Sequence, residues 1–211
     1  METNKLNKKS VLVLGGAGFI GSNLIIELIK FNFHVRLFTR PSNSLKNLAQ
    51  YLDRIEIVYG GFMDEVAVRK AVNGIDYVVH LISTTLPATT TDSGIFDINS
   101  NLVPTVRLLE NCLSYGVKKF IYISSGGTIY GEPRYIPIDE GHPLAPKSLY
   151  GHSKKIIESY INFFSRSLKL NTGILRVSNP YGPYQSPYRN QGLVAAAFGC
   201  ILDNREFNIY G

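Results

Sequence analysis

The stretch VLVLGGAGFIGSNLIIELI, residues 11–29, decides the fold. An apolar run precedes a glycine-rich turn, and an apolar pattern with helical spacing follows it, so the stretch predicts a strand, a tight turn and a helix. Its glycines satisfy both GxGxxG and GxxGxxG spacing, which lets the diphosphate of a dinucleotide approach free backbone N–H groups where the helix starts. We predict that this loop binds a dinucleotide through Gly15, Gly18, Phe19, Ile20 and Gly21.

The rest of the chain alternates short apolar runs with longer helical patterns. The strands are predicted at 11–14, 34–38, 55–58, 77–82, 120–123 and 172–177. The helices are predicted at 19–31, 64–72, 95–115 and 149–168. Asp64 is a candidate N-cap, and Pro104 predicts a kink or a later helix start. Strands alternating with crossover helices imply an α/β fold with a doubly wound parallel sheet, the Rossmann fold.

The composition changes after residue 177. The following stretch, SNPYGPYQSPYRNQG, is rich in Pro, Tyr, Gly and Asn and predicts an irregular segment. A helical run at 193–202 and a strand over 205–211 come next, and a chain that stops inside a strand suggests a missing continuation. We expect a flexible polar tail at 1–9, a nucleotide-binding domain at 10–178, and at 179–211 the beginning of a smaller substrate-binding part.

Charge and hydropathy exclude several classes of protein. No stretch reaches the ~20 apolar residues of a membrane span, and the first ten residues are polar, so we expect a cytoplasmic protein. The formal charge is +6, but the basic residues are spread along the chain, which argues against a nucleic-acid partner.

The histidines and cysteines show no metal-ligand spacing, so no metal site is predicted. The histidines lie far apart, at His34, His80, His142 and His152. Cys112 and Cys200 both fall in helical patterns and are expected to be free thiols in a cytoplasmic protein.

The end of the second predicted strand bears on the choice of dinucleotide. An acid at this point binds the adenosine 2′-hydroxyl of NAD, whereas a cation accommodates the 2′-phosphate of NADP. The sequence here is RLFTRP, with Thr39 in the acid position and Arg40 after it. NAD and NADP both remain open, and Arg40 favours NADP; the alternative is that Arg40 is an ordinary exposed loop arginine.

Tyr150 and Lys154 in SLYGHSKKIIESY lie four residues apart at the start of a helix. Their Cβ atoms are therefore roughly 5–6 Å apart on one face. A tyrosine with a pKa near 10 is only about one part in a thousand ionised at neutral pH, so it needs a nearby cation to act as a base. Lys154 provides that cation, although an isolated Tyr-x-x-x-Lys is usually a surface pair.

Together with the glycine loop, this pair resembles the short-chain dehydrogenase/reductases, and further motifs resemble their extended epimerase/dehydratase branch. The resemblance covers nearly the whole chain. The motifs are GGAGFIG at 15–21, HLIS at 80–83, Asn101 ahead of PTVRLLE, ISSGGTIYG at 123–131, YGHSK at 150–154 and RVSNPYGP at 176–183.

The resemblance implies roles for particular residues. Tyr150 would be the general base, and Lys154 would also bind the nicotinamide ribose. Asn179 would meet the substrate after the sixth strand, and the strand end at 124–128 would orient the substrate hydroxyl. The remaining cofactor-binding residues implied by the resemblance are Leu81, Ser83, Asn101 and Ser124.

Three departures from the family pattern bear on these roles. Gly126 stands where the family usually keeps a catalytic Ser or Thr, so the hydroxyl role would move to Thr128, which we favour, or to Ser125. Either residue is also compatible with ordinary strand-end hydrogen bonding. Gly61 replaces an Asp that often contacts adenine, which leaves Phe62 as the expected neighbour of the adenine. Leu14 replaces the usual Thr before the glycine motif.

The reaction type follows from one absence. The 4,6-dehydratases of this branch carry an Asp-Glu pair where this chain has Gly127 and Thr128, so the acid–base groups for elimination are missing. We therefore expect a nucleotide-sugar epimerase, by default acting on a UDP-linked hexose through a 4-keto intermediate. The alternatives are an NADP-dependent reductase of a keto-sugar or other carbonyl, and a sensor that binds the dinucleotide without catalysis.

A homodimer is the expected assembly. The helical patterns at 95–115 and 149–168 carry apolar residues on more than one face, including Tyr160, Phe163 and Phe164. In the family that the chain resembles, these two helices form the interface between two copies.

Overall fold

The computed structural model describes residues 8–85, 94–188 and 192–207. Its strands are β1 (Ser10–Leu14), β2 (His34–Thr39), β3 (Ile55–Tyr59), β4 (Tyr77–His80), β5 (Lys119–Ser125) and β6 (Thr172–Val177). Its α-helices are α1 (Phe19–Lys30), α2 (Glu65–Val72), α3 (Gly94–Asp97), α4 (Val103–Ser114), α5 (Leu149–Leu168) and α6 (Leu193–Leu202). A 3₁₀ helix spans Lys46–Arg54, and a π-helical turn spans Ile98–Leu102.

The six strands form one parallel sheet in the order β3-β2-β1-β4-β5-β6. The strand order reverses between β1 and β4, which pair directly, so their carboxyl ends border a crevice where α/β proteins bind ligands. This arrangement confirms the prediction of a doubly wound α/β fold.

Helices cover both faces of the sheet because each buried strand is apolar on both sides. Leu12 and Leu14 of β1 belong to a core that also contains the buried sides of α2, α4 and α5. Val11 and Val13 point to the other face and pack with α1 and the 3₁₀ helix. The two cores hold β1 and the glycine turn that follows it in place.

The helix starts depend on local chemistry. Asp64 caps α2, as predicted, because its Oδ1 accepts the N–H groups of Val66 and Ala67. Ser148 caps α5 by accepting the N–H of Gly151, so the helix begins just before Tyr150.

The helix predicted at 95–115 is divided in the structure. Pro104 has no N–H to give to a residue one turn earlier, and the chain passes through the π-helical turn before α4 begins at Val103. The prediction of an irregularity at Pro104 is therefore confirmed. The hydroxyl of Thr105 donates to the Asn101 carbonyl at 2.6 Å, which occupies one acceptor of the disturbed turn.

Other differences from the predictions are small. Strand β4 ends at His80 rather than at 82, and the 3₁₀ helix was not predicted. Helix α6 was predicted correctly; residues 205–207 have no regular structure, and the remainder of the strand predicted at 205–211 lies outside the described residues. Both cysteines are free thiols. In the described parts of the chain, no helix has the length and apolarity needed to span a membrane.

Candidate active site

The glycine turn brings α1 against the end of β1. Gly15 has φ +82°, a conformation that other residues rarely adopt. A Cβ on Gly21 would lie 2.4 Å from the Cα of Gly16, so only glycine permits this contact between the helix and the turn. Gly18, the N-cap, is open: a Cβ there would meet only the Gly15 carbonyl, at 3.6 Å.

The start of α1 suits a diphosphate. The helix begins at Phe19 with no capping side chain and no acidic residue in its first turn. Its first N–H groups and the positive end of its dipole therefore face the turn unopposed, which is the usual arrangement for binding phosphate. The residues present thus fit the dinucleotide that the sequence predicts.

An outer cleft of about 740 Å³ runs from the glycine turn past the end of β2. Arg40 and Lys46 line it, and none of the described residues that line it is an Asp or a Glu. Thr39 stands in the position of the acid that binds the adenosine ribose of NAD. Its side chain is buried and accepts a hydrogen bond from Asn43 Nδ2 at 2.9 Å. The described part of the outer cleft is therefore bordered by positive charge and offers no carboxylate to accept a hydrogen bond from a ribose hydroxyl.

An inner cleft of about 490 Å³ lies at the carboxyl ends of β4, β5 and β6. Tyr150 and Lys154 from α5 line this cleft together with Phe19 and Ile20 from α1. Of the other predicted site residues, the same cleft is lined by Leu81, Ser83, Ser124, Ser125, Thr128 and Asn179. The structure thus brings most of the predicted site together beside the glycine turn.

Lys154 is buried and held in one place. Its Nζ donates to the Ile123 carbonyl at 3.0 Å and lies 4.6 Å from the centre of the Tyr122 ring. Burial lowers its pKa to about 8, while the carboxylates of Asp97 and Glu158 act to raise it. The ammonium form is therefore sensitive to the charges around it near neutral pH.

Tyr150 lies beside Lys154, with the lysine Nζ 5.5 Å from the centre of its ring. Burial raises the pKa of Tyr150 above 10, and the neighbouring Ser125 hydroxyl acts in the opposite direction. The Thr128 hydroxyl donates to Ser125 Oγ at 2.8 Å. Thr128 and Ser125 thus form a short hydroxyl chain beside the Tyr150 phenol.

Gly126 occupies a confined position. A Cβ there would lie 2.8 Å from the backbone carbonyl oxygen of Arg176, at the end of β6. Its neighbour Gly127 is free, with only the Ser178 carbonyl at 4.0 Å. Backbone atoms therefore occupy the space in which the family that this chain resembles usually carries a hydroxyl side chain.

Phe62 and Asn101, both predicted to bind the cofactor, do not line either cleft. Phe62 is buried in the core, with its ring centre 4.9 Å from that of His80, because the chain turns inward after β3. Asn101 borders a small cavity behind Lys154, and its amide is occupied by the Thr84 N–H and the Asp97 carboxylate. Contact of these two residues with a dinucleotide stays a prediction.

Four residues that the sequence did not single out belong to the surroundings of the site. Lys46 is a second cation on the outer cleft, and it lies six residues after Arg40 in the printed sequence. Asp97 is fully buried and accepts hydrogen bonds from Thr85, Asn101 and Ser153. Glu158, which is buried, forms an ion pair with the partly exposed Arg176. Only Glu158 carried a clear signal, because it follows Lys154 at helical spacing.

The confined position of Gly126 generates a prediction. Gly126→Ser should lower the free energy of unfolding by about 1–3 kcal/mol because the new side chain meets backbone that has nowhere to move. Gly127→Ser is the matched control and should stay within about 0.5 kcal/mol of the wild type. Chemical denaturation measures both, and a Gly126→Ser protein as stable as the wild type would show that the backbone readily accepts a hydroxyl side chain here.

Comparison with known proteins agrees with this geometry. The model of the NAD dependent epimerase/dehydratase family matches residues 11–211. The putative UDP-glucose 4-epimerase of Methanocaldococcus jannaschii is 33% identical over 202 residues, which cover 95% of this chain and 66% of that protein. The dTDP-4-dehydro-6-deoxyglucose reductase of Escherichia coli is 31% identical over 209 residues, covering 97% and 66%.

A solved structure extends the comparison to three dimensions. The UDP-glucose 4-epimerase of Thermotoga maritima, crystallised with UDP-glucose, has a TM-score of 0.87 and 34% identity, with 96% of this chain and 66% of that chain covered. The chain therefore spans about two thirds of the length of these relatives. With a matched family model, a shared fold and the Tyr150–Lys154 pair beside a glycine turn, this chain belongs to the NAD dependent epimerase/dehydratase family.

Proposed function

We propose that this protein is a nucleotide-sugar epimerase that inverts C4 of a UDP-linked hexose through a 4-keto intermediate. The observation that carries the proposal is the position of Tyr150 and Lys154, which line one cleft together with the start of α1. Gly127 and Thr128 supply no carboxylates for dehydration, so the groups present suit oxidation and reduction at a single carbon. The UDP-glucose 4-epimerases among the relatives support the choice of substrate.

Tyr150 performs the proton transfer in this proposal. Its Oη, as phenolate, takes the proton of the sugar 4-hydroxyl while hydride leaves C4 and the C4–O bond becomes a carbonyl. A bound nicotinamide ring supplies the chemistry of accepting that hydride and of returning it. For the return step, Tyr150 gives the proton back to the carbonyl oxygen, and inversion requires the keto sugar to turn in the cleft.

Lys154 and the hydroxyl chain prepare Tyr150 for this role. Because burial raises the pKa of Tyr150, the phenol needs positive charge nearby when the ligands are bound. Lys154 supplies one such charge and is fixed by Ile123. Ser125 stabilises the phenolate, and Thr128, which lines the cleft, orients the substrate hydroxyl with Asn179.

A reductase of a 4-keto sugar is the second candidate. The chain is 31% identical to a dTDP-4-dehydro-6-deoxyglucose reductase, a relative whose name gives a ketone as its substrate. The same residues would serve, with Tyr150 donating the proton to the carbonyl oxygen. The two candidates differ in one measurable way, because a reductase consumes external reductant with every turnover.

We also propose that the outer cleft favours NADP over NAD. Arg40 and Lys46 both line it, and Arg40 lies directly after β2, where the adenosine ribose is bound in Rossmann folds. Two cations, with no carboxylate among the described lining residues, favour a 2′-phosphate over a free ribose hydroxyl.

We propose a homodimer formed by α5 and the helices beside it. Ile156, Tyr160 and Phe163 are exposed at i, i+4 and i+7 on α5, on the side away from the sheet. Ile95 and Ile98 are exposed on the adjoining α3 and π-helical turn. Two copies that meet on these exposed apolar residues would bury them, as in a four-helix bundle.

The catalytic role of Tyr150 is tested by Tyr150→Phe. With UDP-glucose as the probe, turnover should fall about a hundredfold to ten-thousandfold because the proton acceptor is gone, while the dinucleotide stays bound. Tyr51→Phe, which removes a hydroxyl on the 3₁₀ helix of the opposite face, is the control and should keep its rate.

The same assay separates the two candidates. We expect UDP-galactose to form from UDP-glucose without added reductant. If product forms only with a 4-keto sugar and with stoichiometric loss of NADPH, the protein is a reductase. If the Tyr150→Phe protein turns over at the wild-type rate, neither candidate survives.

The preference for NADP is tested by calorimetric titration of each dinucleotide. Arg40→Asp should weaken the binding of NADP by about tenfold to a hundredfold because a charge-assisted contact is lost and a repulsive one is added. The binding of NAD should change little. Arg69→Asp makes the same charge change on the exposed side of α2 and controls for net charge. Equal affinities for NAD and NADP in the wild type would contradict the preference.

A further inference from the structure

Arg176 joins three segments that surround the active site through one side chain. Its Nε and Nη2 bind the carboxylate of Glu158 on α5, at 3.2 and 2.8 Å. Its Nη1 donates to the Tyr130 hydroxyl and to the Glu140 carbonyl, both at 3.0 Å. The planar guanidinium presents these donors in a fixed geometry, so the three partners cannot move independently of it.

Glu158 is placed to transmit this restraint to the catalytic pair. It follows Lys154 by four residues and Tyr150 by eight, so all three share one face of α5. Its side chain is only 2% exposed, and a buried carboxylate persists only when it is paired. The ion pair therefore fixes the rotation of α5 relative to β6.

The backbone of Arg176 restrains the opposite wall of the inner cleft. Its carbonyl oxygen lies against Gly126, where even a Cβ would come within 2.8 Å. Tyr130 lies at the other end of the same loop. Its hydroxyl accepts a hydrogen bond from the guanidinium, whose central carbon lies 5.2 Å from the centre of the tyrosine ring. The loop between these two contacts carries Thr128.

We propose that the ion pair between the buried Glu158 and Arg176 is a positioning device for the reaction, holding Thr128 and the Tyr150–Lys154 pair at one separation across the inner cleft. The inference rests on the proposed role of Tyr150. Arg176 and Glu158 do not line that cleft and are positioning residues rather than catalytic ones.

Glu158 also belongs to the set of charges that act on Lys154. The titratable groups around the lysine come from four elements, and they are Asp97 of α3, Tyr122 of β5, His80 of β4, and Tyr150 and Glu158 of α5. Burial holds the pKa of Lys154 at about 8, and Glu158 acts to raise it. Without the Glu158 charge this pKa falls further, so the lysine loses its proton at a lower pH.

The test compares two single variants in the cofactor-loaded protein. Arg176→Lys keeps the positive charge but loses the planar set of donors that reaches Glu158, Tyr130 and Glu140 together. We therefore expect kcat to fall about tenfold to a hundredfold, with KM for the nucleotide-sugar nearly unchanged. Glu158→Gln should lower kcat as well, and it should also move the alkaline fall in rate to lower pH. Arg176→Lys leaves the Glu158 charge in place, so the pH at which the rate falls on the alkaline side should not change.

Arg36→Lys is the matched control. Arg36 is also a forked arginine that joins elements: its Nε lies 2.9 Å from Glu56, and its Nη1 donates to the carbonyls of Ala71 and Asn73. It lies on β2, away from the inner cleft. Its replacement should leave kcat and the pH profile unchanged.

A variant that retains folding separates positioning from stability. Buried ion pairs can often be replaced by apolar residues of similar size without loss of stability, so Glu158→Leu with Arg176→Leu should keep a thermal midpoint close to that of the wild type. Its kcat should still be low. Wild-type kcat in Arg176→Lys or in the folded double variant overturns the positioning role, whereas wild-type turnover in Tyr150→Phe would instead overturn the proposed function.

Discussion

The Lys154 ammonium sits beneath the end of β5, hydrogen-bonded to the Ile123 carbonyl and stacked over the Tyr122 ring. This contact requires the last residues of a parallel strand to lie next to the first turns of a helix. The doubly wound sheet provides that arrangement. The strand order places the same edge beside the glycine turn after β1. One buried cation thereby links the predicted dinucleotide site with Tyr150, the proposed base.

Burial acts against the charged forms of both members of the pair. Burial raises the pKa of Tyr150 and lowers that of Lys154, so by itself it favours a neutral phenol and makes the lysine ammonium easier to deprotonate. Asp97 and Glu158 act in the opposite direction on Lys154. A bound oxidised dinucleotide would bring further positive charge to this cleft, and the base is therefore expected to form only in the loaded protein.

The parts of the fold that follow local rules could be predicted from the sequence. The glycine spacing, the strand and helix periods and the cap at Asp64 depend on short stretches, and the structure has them where they were expected. We predicted Phe62 as a neighbour of the adenine from its position in a family pattern. In the structure its side chain is buried, and the inward turn of the chain after β3 that buries it depends on the whole core. Arg176 meets Glu158 only because β6 lies beside α5, a tertiary contact with no signal in the periodicity. Gly126 was recognised as a departure, but the closed backbone around it is visible only in three dimensions.

The central claim is that Lys154, together with a bound oxidised dinucleotide, turns Tyr150 into a base. The pKa of Tyr150 measures this directly, as the difference in phenolate absorbance between the wild type and Tyr150→Phe during a pH titration. We expect a pKa above 10 in the ligand-free protein, a clear fall when the oxidised dinucleotide is added, and a much smaller fall in Lys154→Met. A Tyr150 pKa that does not respond to the dinucleotide, or that falls equally in Lys154→Met, would contradict the claim.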